Sequence, residues 1–117
     1  MSTIPFQVED VGLTEIHGEL YLDHEFLVFV VETALLGEFR KAQQVIKIEP
    51  RAVQEIRLDQ GIIKDKLCIR PKKRELLQVM PGRFKAEVVL KIWVKHRKAA
   101  EALVEKVRER SNRYRTP

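Results

Sequence analysis

The hydrophobic pattern of the chain changes its period once, at His96, and this change restricts the fold more than any other feature. Before it, apolar and polar residues alternate, as in the stretch from Glu15 to Asp23, and such alternation predicts half-buried β-strands. After it, up to about Ser111, apolar residues recur at helical spacing: Ala99, Ala100, Leu103, Val104 and Val107. The pattern therefore predicts a series of strands followed by one amphipathic C-terminal helix.

Turn signals divide the part before this helix into about seven strands. The clearest strands are predicted over 15–23, 26–33, 44–49, 62–70, 75–80 and 84–94. Asp23–Glu25 is a polar break that indicates a hairpin, Pro50 ends a strand, and Pro81-Gly82 is a turn. Residues 35–42 are expected to form a connection. The segment 51–58 fits either a helical turn that leads into a strand or one bent strand.

Length and composition indicate a single domain with one core. The chain has 117 residues, of which 44% are hydrophobic, which is enough for one domain. Its longest apolar run, Phe26–Val31, is much shorter than the ~18 residues that cross a bilayer, and no secretion signal is visible. We therefore expect a core over about 14–111, an N-terminal extension or edge strand over 1–10, a frayed tail over 112–117, and a cytoplasmic location.

Charge is strongly polarised along the chain. The first 39 residues contain eight acidic residues and no Lys or Arg, although the whole chain has a net charge of +5. The densest basic run is a candidate anion-binding or lipid-binding rim: Lys64, Lys66, Arg70, Lys72, Lys73 and Arg74. Near an anionic membrane each such residue contributes about 1 kcal/mol. Alternatively, the rim neutralises the acidic first hairpin or is a solvated loop.

A second candidate surface is apolar. Both faces of the strand over 26–33 are apolar, so one face is either covered by another element or available to a partner. On the last strand Trp93 lies opposite the inward-facing stripe. The outward residues are predicted to form one protein-interaction patch: Phe26, Val28, Val30, Val89 and Trp93. Alternatively, Trp93 is buried under the helix or the N-terminal segment.

Candidate catalytic groups are few. His17 and Glu19 share a strand face with Tyr21, where acid–base chemistry is geometrically feasible, but such a face is normally just polar. The sequence has no H-E-x-x-H, no Cys pair and no glycine-rich phosphate loop. Its single cysteine, Cys68, rules out an intramolecular disulfide and is typical of an inert apolar position. We expect no enzyme, cofactor, metal or small-molecule substrate, and nucleic acid is disfavoured because exposed aromatics for stacking are lacking.

The series of strands closed by one helix resembles the pleckstrin-homology-like (PH-like) superfold. The segment 45–58 is similar to that of bacterial PH-like and GRAM-type domains, whose third strand commonly runs into an I-P-x-x-x-I-x-x-V pattern. The nearest positions are Ile48, Pro50, Val53 and Ile56, with Glu49 inserted between the first two. The resemblance covers about residues 14–111. It implies an open barrel of about seven antiparallel strands in two nearly orthogonal sheets, capped by the C-terminal helix.

The resemblance also bears on function. Phosphoinositide-binding PH domains carry Lys and Arg around the loop that joins their first two strands. The corresponding loop here is Asp23–Glu25, flanked by Glu19 and Glu32, and it would repel a phosphorylated headgroup. Members of the superfold without this site are interaction and assembly modules. We therefore expect a non-catalytic scaffold module that binds a protein partner or itself, with peripheral binding to anionic membrane lipids through the basic rim as the alternative.

Overall fold

The computed structural model describes residues 3–35 and 41–113, and of Lys41 and Arg113 it describes only the backbone. The described chain forms seven strands: β1 Ile4–Val11, β2 Thr14–Leu22, β3 Leu27–Leu35, β4 Lys41–Ile48, β5 Val53–Asp59, β6 Lys64–Pro71 and β7 Val88–Trp93. A short helix, α1 (Glu75–Val79), lies between β6 and β7, and α2 (Arg97–Arg113) follows β7. Single 3-10 turns at Pro50–Ala52 and Val94–His96 lead into β5 and α2.

All seven strands belong to one antiparallel sheet with the order β4-β3-β2-β1-β7-β6-β5. β1 lies at the centre, where it pairs with β2 along its length and with β7 at Gln7, opposite Lys91. Across the described ranges β4 and β5 are not paired with each other, so the sheet is open. This arrangement confirms the prediction of a mainly β domain with seven antiparallel strands and a C-terminal helix.

The N-terminal segment is a central strand, so the prediction of an extension or edge strand over 1–10 is wrong. Its inward residues are each at most 5% exposed: Ile4, Phe6 and Val8. The turn Asp23–Glu25, which was expected to join the first two strands, therefore joins β2 to β3. β1 and β2 are joined by Gly12 and Leu13, and a φ of 62° at Gly12 favours glycine there. Neither turn contains Lys or Arg.

The hydrophobic core lies between the inner face of the sheet and α2. On α2 the buried apolar residues follow the predicted helical spacing: Ala100, Leu103, Val104 and Val107. The helix packs against β5 and the Pro50–Ala52 turn and also reaches β2. Ser111 Oγ donates a hydrogen bond of 3.2 Å to the Val53 carbonyl, and Arg108 Nε donates one of 3.0 Å to the Ile56 carbonyl. The helix is therefore anchored along the edge strand β5.

Several predicted boundaries change. The strand predicted over 75–80 is wrong, because this segment contains α1, whose Leu76 is buried together with Met80, one helical turn later. The strand predicted over 84–94 is confined to β7. The segment 51–58 follows the first of its two alternatives, a helical turn leading into a strand. Residues 36–40 of the predicted connection and 114–117 of the predicted tail lie outside the described residues, and α2 continues through Arg113.

Candidate functional site

The outer face of β6 and β7 carries a pair of opposed lysines. Because side chains alternate along a strand, Lys66 of β6 points away from the core, and the strand register places it directly opposite Lys91 of β7. Like charges in this position destabilise a strand pair. Neither ammonium group forms a salt bridge with another residue of the described ranges. The two positive charges therefore face solvent together.

These two lysines line an open concavity of about 660 Å³ between β1, β6, β7 and the loop that precedes β7. Five basic side chains surround it: Lys66, Arg70, Arg83, Lys85 and Lys91. Its apolar floor includes Val8, Val11, Phe84 and Val89, and its acidic members are Glu9, Asp10 and Glu87. The concavity thus has an excess of positive charge over an apolar base.

One of the three acids is already neutralised. Arg57 of β5 donates hydrogen bonds of 2.9 Å from Nη1 and Nη2 to the two carboxylate oxygens of Glu87. These bonds hold the pKa of Glu87 below its usual value although partial burial opposes the shift. Cys68 faces the same side of the sheet, is only 3% exposed, and has its thiol pKa raised by burial. Cys68 therefore occupies a buried strand position, and its inertness stays a prediction.

The predicted basic rim is split between two places. Lys64, Lys66 and Arg70 lie along the outer face of β6, but the other three members occupy the exposed turn after it: Lys72, Lys73 and Arg74. At a rise of about 3.3 Å per residue, Arg70 lies roughly 20 Å along the strand from Lys64. Lys66 and Arg70 enter the concavity, where they meet Arg83, Lys85 and Lys91. Sequence reasoning missed these last three as partners, because the strand register brings Lys91 to Lys66 and the course of the loop before β7 brings Arg83 and Lys85.

The alternative that the rim neutralises the acidic first hairpin finds no direct support among the described ion pairs. Arg70 Nη1 lies 3.9 Å from Oε2 of Glu55, which belongs to β5 and not to the first hairpin. The Lys64 ammonium donates a hydrogen bond of 2.7 Å to the Gln7 side-chain oxygen and lies 4.5 Å from the centre of the Trp93 ring. Lys64 and Lys91 do line a groove together with Glu9 and Glu15. Any compensation by those acids acts across this groove and not through a salt bridge.

The predicted apolar patch does not form one surface. Val28 is fully buried, because its neighbours across the ladder are Tyr21 and Lys47, whose side chains are much longer than a valine. The Lys47 ammonium also lies 5.9 Å from the centre of the Phe26 ring. Phe26 is accordingly only partly exposed.

The remaining members of the predicted patch lie in two different concavities. Val30 and Trp93 line a second concavity of about 420 Å³ over β1, β2 and β3. Val89 belongs to the floor of the basic concavity. Trp93 is 41% exposed, so its predicted burial under the helix or the N-terminal segment is wrong.

The hairpin between β5 and β6 ends in an exposed apolar tip, defined here as Gly61–Ile63. Ile62 is 95% exposed and Ile63 is 64% exposed. The strand predicted from Ile62 begins only at Lys64. The sequence pattern alone did not distinguish these isoleucines from the buried ones that follow in β6.

A buried ion pair supports this tip. Asp65 is fully buried, and its carboxylate accepts hydrogen bonds of 2.8 Å from Arg97 Nε and Nη2. It also accepts one of 2.8 Å from the Gly61 backbone N–H. Arg97 Nη2 donates a further bond of 2.8 Å to the Gly61 carbonyl. The hydrogen bonds from Arg97 hold the pKa of Asp65 below its usual value.

Of the candidate catalytic residues, His17 and Glu19 line the second concavity, and Tyr21 is not among its lining residues. His17 Nε2 lies 3.8 Å from a Glu32 carboxylate oxygen on a solvent-exposed part of the sheet. Over residues 3–35 and 41–113 no three His, Cys, Asp or Glu side chains are grouped so that they could hold a metal ion. The helices found in these ranges are too short or too polar to cross a bilayer.

Comparisons with protein-family models, with curated proteins and with solved structures found no match to this chain.

Proposed function

We propose that the chain is a non-catalytic module that attaches peripherally to anionic membrane surfaces. Its contact is the basic outer face, defined as Lys64, Lys66, Arg70 and Lys91 of β6 and β7, with Arg83 and Lys85 of the loop before β7. The observation that carries this proposal is the direct opposition of Lys66 and Lys91. Opposed like charges reduce the stability of a strand pair. A phosphate placed between them relieves the repulsion and gains charge-assisted hydrogen bonds.

The distribution of charge favours an extended anionic surface as the ligand. The basic side chains are spread along roughly 20 Å of strand, and the concavity that they line is open to solvent. On β2 and β3 the same side of the sheet carries Glu19 and Glu32, next to Val30 and His17. This polarity orients the molecule near an anionic membrane, with the β6–β7 side towards the lipid and the acidic side away from it.

We also propose that the fold is PH-like, an open barrel of two crossed sheets. Three observations are consistent with two sheets, β1–β4 and β5–β7, that pack across each other. These are the strand order, the one register pair between β1 and β7, and the position of α2 along β5. In this arrangement the lipid-binding face is built from β6 and β7. The turns that join β1 to β2 and β2 to β3 lack Lys and Arg and have no part in binding.

The test is co-sedimentation with phosphatidylcholine vesicles, with and without phosphatidylserine, at about 0.1 M and 1 M salt, where the Debye length is about 10 and 3 Å. We expect pelleting only with anionic vesicles at low salt. Lys91→Glu changes the local charge by two units and should weaken binding by about 2 kcal/mol, or about thirtyfold. The same reversal at Lys106, an exposed residue of α2, is the matched control.

Lys91→Glu offers an internal check on folding. It places a carboxylate opposite Lys66, so the strand pair should gain about 0.2–1 kcal/mol of stability. Weaker binding by a variant that is at least as stable as the native protein excludes unfolding as the cause. The proposal would be contradicted if Lys91→Glu and Lys106→Glu lost equal amounts of vesicle affinity. It would also be contradicted if the native chain did not pellet with anionic vesicles.

A second candidate is binding of a protein partner or of a second copy. It is favoured by the exposure of 41% at Trp93, which shares a concavity of about 420 Å³ with Val30. Light scattering over a range of protein concentrations tests it. A mass that rises with concentration, is insensitive to salt and falls back in Trp93→Ala would support this candidate over membrane attachment.

A further inference from the structure

We infer that the tip Gly61–Ile63 inserts into the apolar layer of an anionic bilayer when the module attaches to it. This inference rests on the proposed membrane attachment and adds a specific insertion element to it. Ile62 and Ile63 are adjacent and are exposed by 95% and 64%. Isolated apolar residues are common on protein surfaces. Two neighbouring isoleucines at the end of a hairpin form a compact apolar projection.

The tip is held in place by hydrogen bonds at both ends. At one end, the Gly61 N–H donates to the Asp65 carboxylate and the Gly61 carbonyl accepts from Arg97 Nη2, both at 2.8 Å. At the other end, the Ile63 carbonyl accepts a hydrogen bond of 3.1 Å from the Val94 N–H. The backbone is therefore fixed while both side chains remain in solvent. A fixed tip loses little conformational entropy when it enters a second phase.

The surroundings of the tip identify the phase that it enters. Lys64 follows the tip directly and lies opposite Trp93 in the strand register, so the two are at the same distance from the end of the hairpin. Lys95 and Lys98, both exposed, follow Trp93 closely in sequence, on the side where Val94 is bonded to the tip. Tryptophan and lysine are enriched at the level of lipid headgroups. The apolar tip therefore corresponds to the acyl region of an anionic bilayer, and Trp93 with the neighbouring lysines corresponds to its headgroup region.

The distances agree with shallow insertion. Ile63 is adjacent to Lys64, so with Trp93 and Lys64 among the headgroups the isoleucines extend into the upper acyl region, within the roughly 5–10 Å reached by interfacial elements. Lys66 and Lys91 then lie about 7 Å further from the tip than Lys64. This is within the Debye length of about 10 Å at 0.1 M salt. One orientation therefore places the tip in the acyl region and the opposed lysines beside headgroup phosphates.

Trp93 provides the probe, because it is the only tryptophan in the chain. Its emission is recorded during titration with phosphatidylcholine and phosphatidylcholine/phosphatidylserine vesicles, with and without bromine on the acyl chains. The variant is Ile62→Asn/Ile63→Asn, and the control is Leu13→Asn. Leu13 is 65% exposed and lies in the β1–β2 turn. Since β1 runs antiparallel to β7, this turn is at the end of the sheet away from Trp93.

We expect the Trp93 emission to shift to the blue and to be quenched by brominated lipid only in anionic vesicles. Ile62→Asn/Ile63→Asn should lose vesicle affinity by about tenfold or more and lose the quenching, with an unchanged melting temperature. Leu13→Asn should behave as the native chain. Equal binding by the double variant and the native chain, without quenching in either, would overturn the insertion and leave membrane attachment intact.

The remaining outcomes separate the two proposals. If quenching depends on the isoleucines but Lys91→Glu binds like the native chain, then the tip is correct and the basic outer face is wrong. If the native chain binds no vesicle, both are wrong. If, in addition, the native chain self-associates and the double variant is monomeric, the tip is a contact between copies of this chain.

Discussion

Asp65 of β6 and Arg97 at the start of α2 form a buried ion pair, with two hydrogen bonds of 2.8 Å between the guanidinium and the two carboxylate oxygens. The carboxylate is fully buried, whereas 31% of the arginine side chain is exposed. The same two residues bond the backbone of Gly61. One charge pair therefore connects the last helix, the sheet and the apolar tip.

Removing Arg97 should be more harmful than neutralising Asp65. Arg97→Ala leaves the Asp65 carboxylate buried with a single donor, the Gly61 N–H, and breaking a buried pair in this way costs about 3–5 kcal/mol. Asp65→Asn should cost less, because the exposed edge of the Arg97 guanidinium can be hydrated. Urea denaturation of the three proteins measures both costs. The reverse order of stabilities would contradict this account of the pair.

The same pair predicts how stability depends on pH. Hydrogen bonds from Arg97 place the folded pKa of Asp65 below its usual value, and the unfolded value is about 3.9. A depressed carboxylate pKa adds stability that is fully present above the unfolded pKa and is lost as the pH falls through the folded pKa. The difference in unfolding free energy between the native protein and Asp65→Asn should therefore be constant above about pH 5 and shrink below about pH 4. A difference that stays constant as the pH falls below about 4 would contradict this assignment.

Charge reversal in the turn after β6 should hardly affect membrane binding. Lys72, Lys73 and Arg74 follow the end of β6 that is remote from the tip, and Arg70, which precedes them, already lies roughly 20 Å from Lys64. With the tip inserted, the distance from the headgroups increases along β6, so screening at 0.1 M salt weakens the contribution of Arg70 and removes most of that of the turn beyond it. Lys72→Glu/Lys73→Glu/Arg74→Glu should pellet with anionic vesicles within about threefold of the native chain, whereas Lys91→Glu should not. A larger loss in the triple variant would move the contact to this turn.

Gly18 of β2 should not accept a side chain. A Cβ at this position would lie 2.1 Å from the Val30 carbonyl oxygen and 3.0 Å from the Phe6 ring. The backbone would have to shift, and overpacking of this kind costs about 1–3 kcal/mol or more. We expect thermal unfolding of Gly18→Ala at a clearly lower temperature. Gly12→Asn is the matched control, since no atom lies within 4 Å of a Cβ there and asparagine tolerates a positive φ.

The strand β2 and the helix α2 could be predicted because each has a long, regular hydrophobic period. The strand β3 could be predicted because it is a continuous apolar run of strand length that follows a polar break. The assignment failed where a short segment fits two periods: Leu76 and Met80 are four residues apart, which suits one turn of helix as well as one face of a strand. The central place of β1 was missed because strand order depends on long-range pairing. The hydrophobic pattern within one segment does not indicate which strands become neighbours in the sheet.

The candidate site was predictable only in part, for a related reason. Lys66 and Arg70 stand out as members of a basic run, but their meeting with Lys91 depends on strand register, and a shift of one residue would move Lys91 to the other face. Ile62 and Ile63 could not be told from core residues by composition. Their exposure results from the start of β6 at Lys64 and from the hydrogen bonds that Asp65 and Arg97 make to Gly61.

The central position of β1 has a consequence for the order in which the chain is assembled. β1 is synthesised before the other six described strands, and its neighbour β7 is made only after the five that lie between them in the chain. Because loop closure over such separations is slow, a growing chain can form the β1–β4 meander early and must wait for β7 to join the two parts of the sheet. During that interval one side of β1 is an open strand edge on the nascent protein, available to chaperones or to a neighbouring chain.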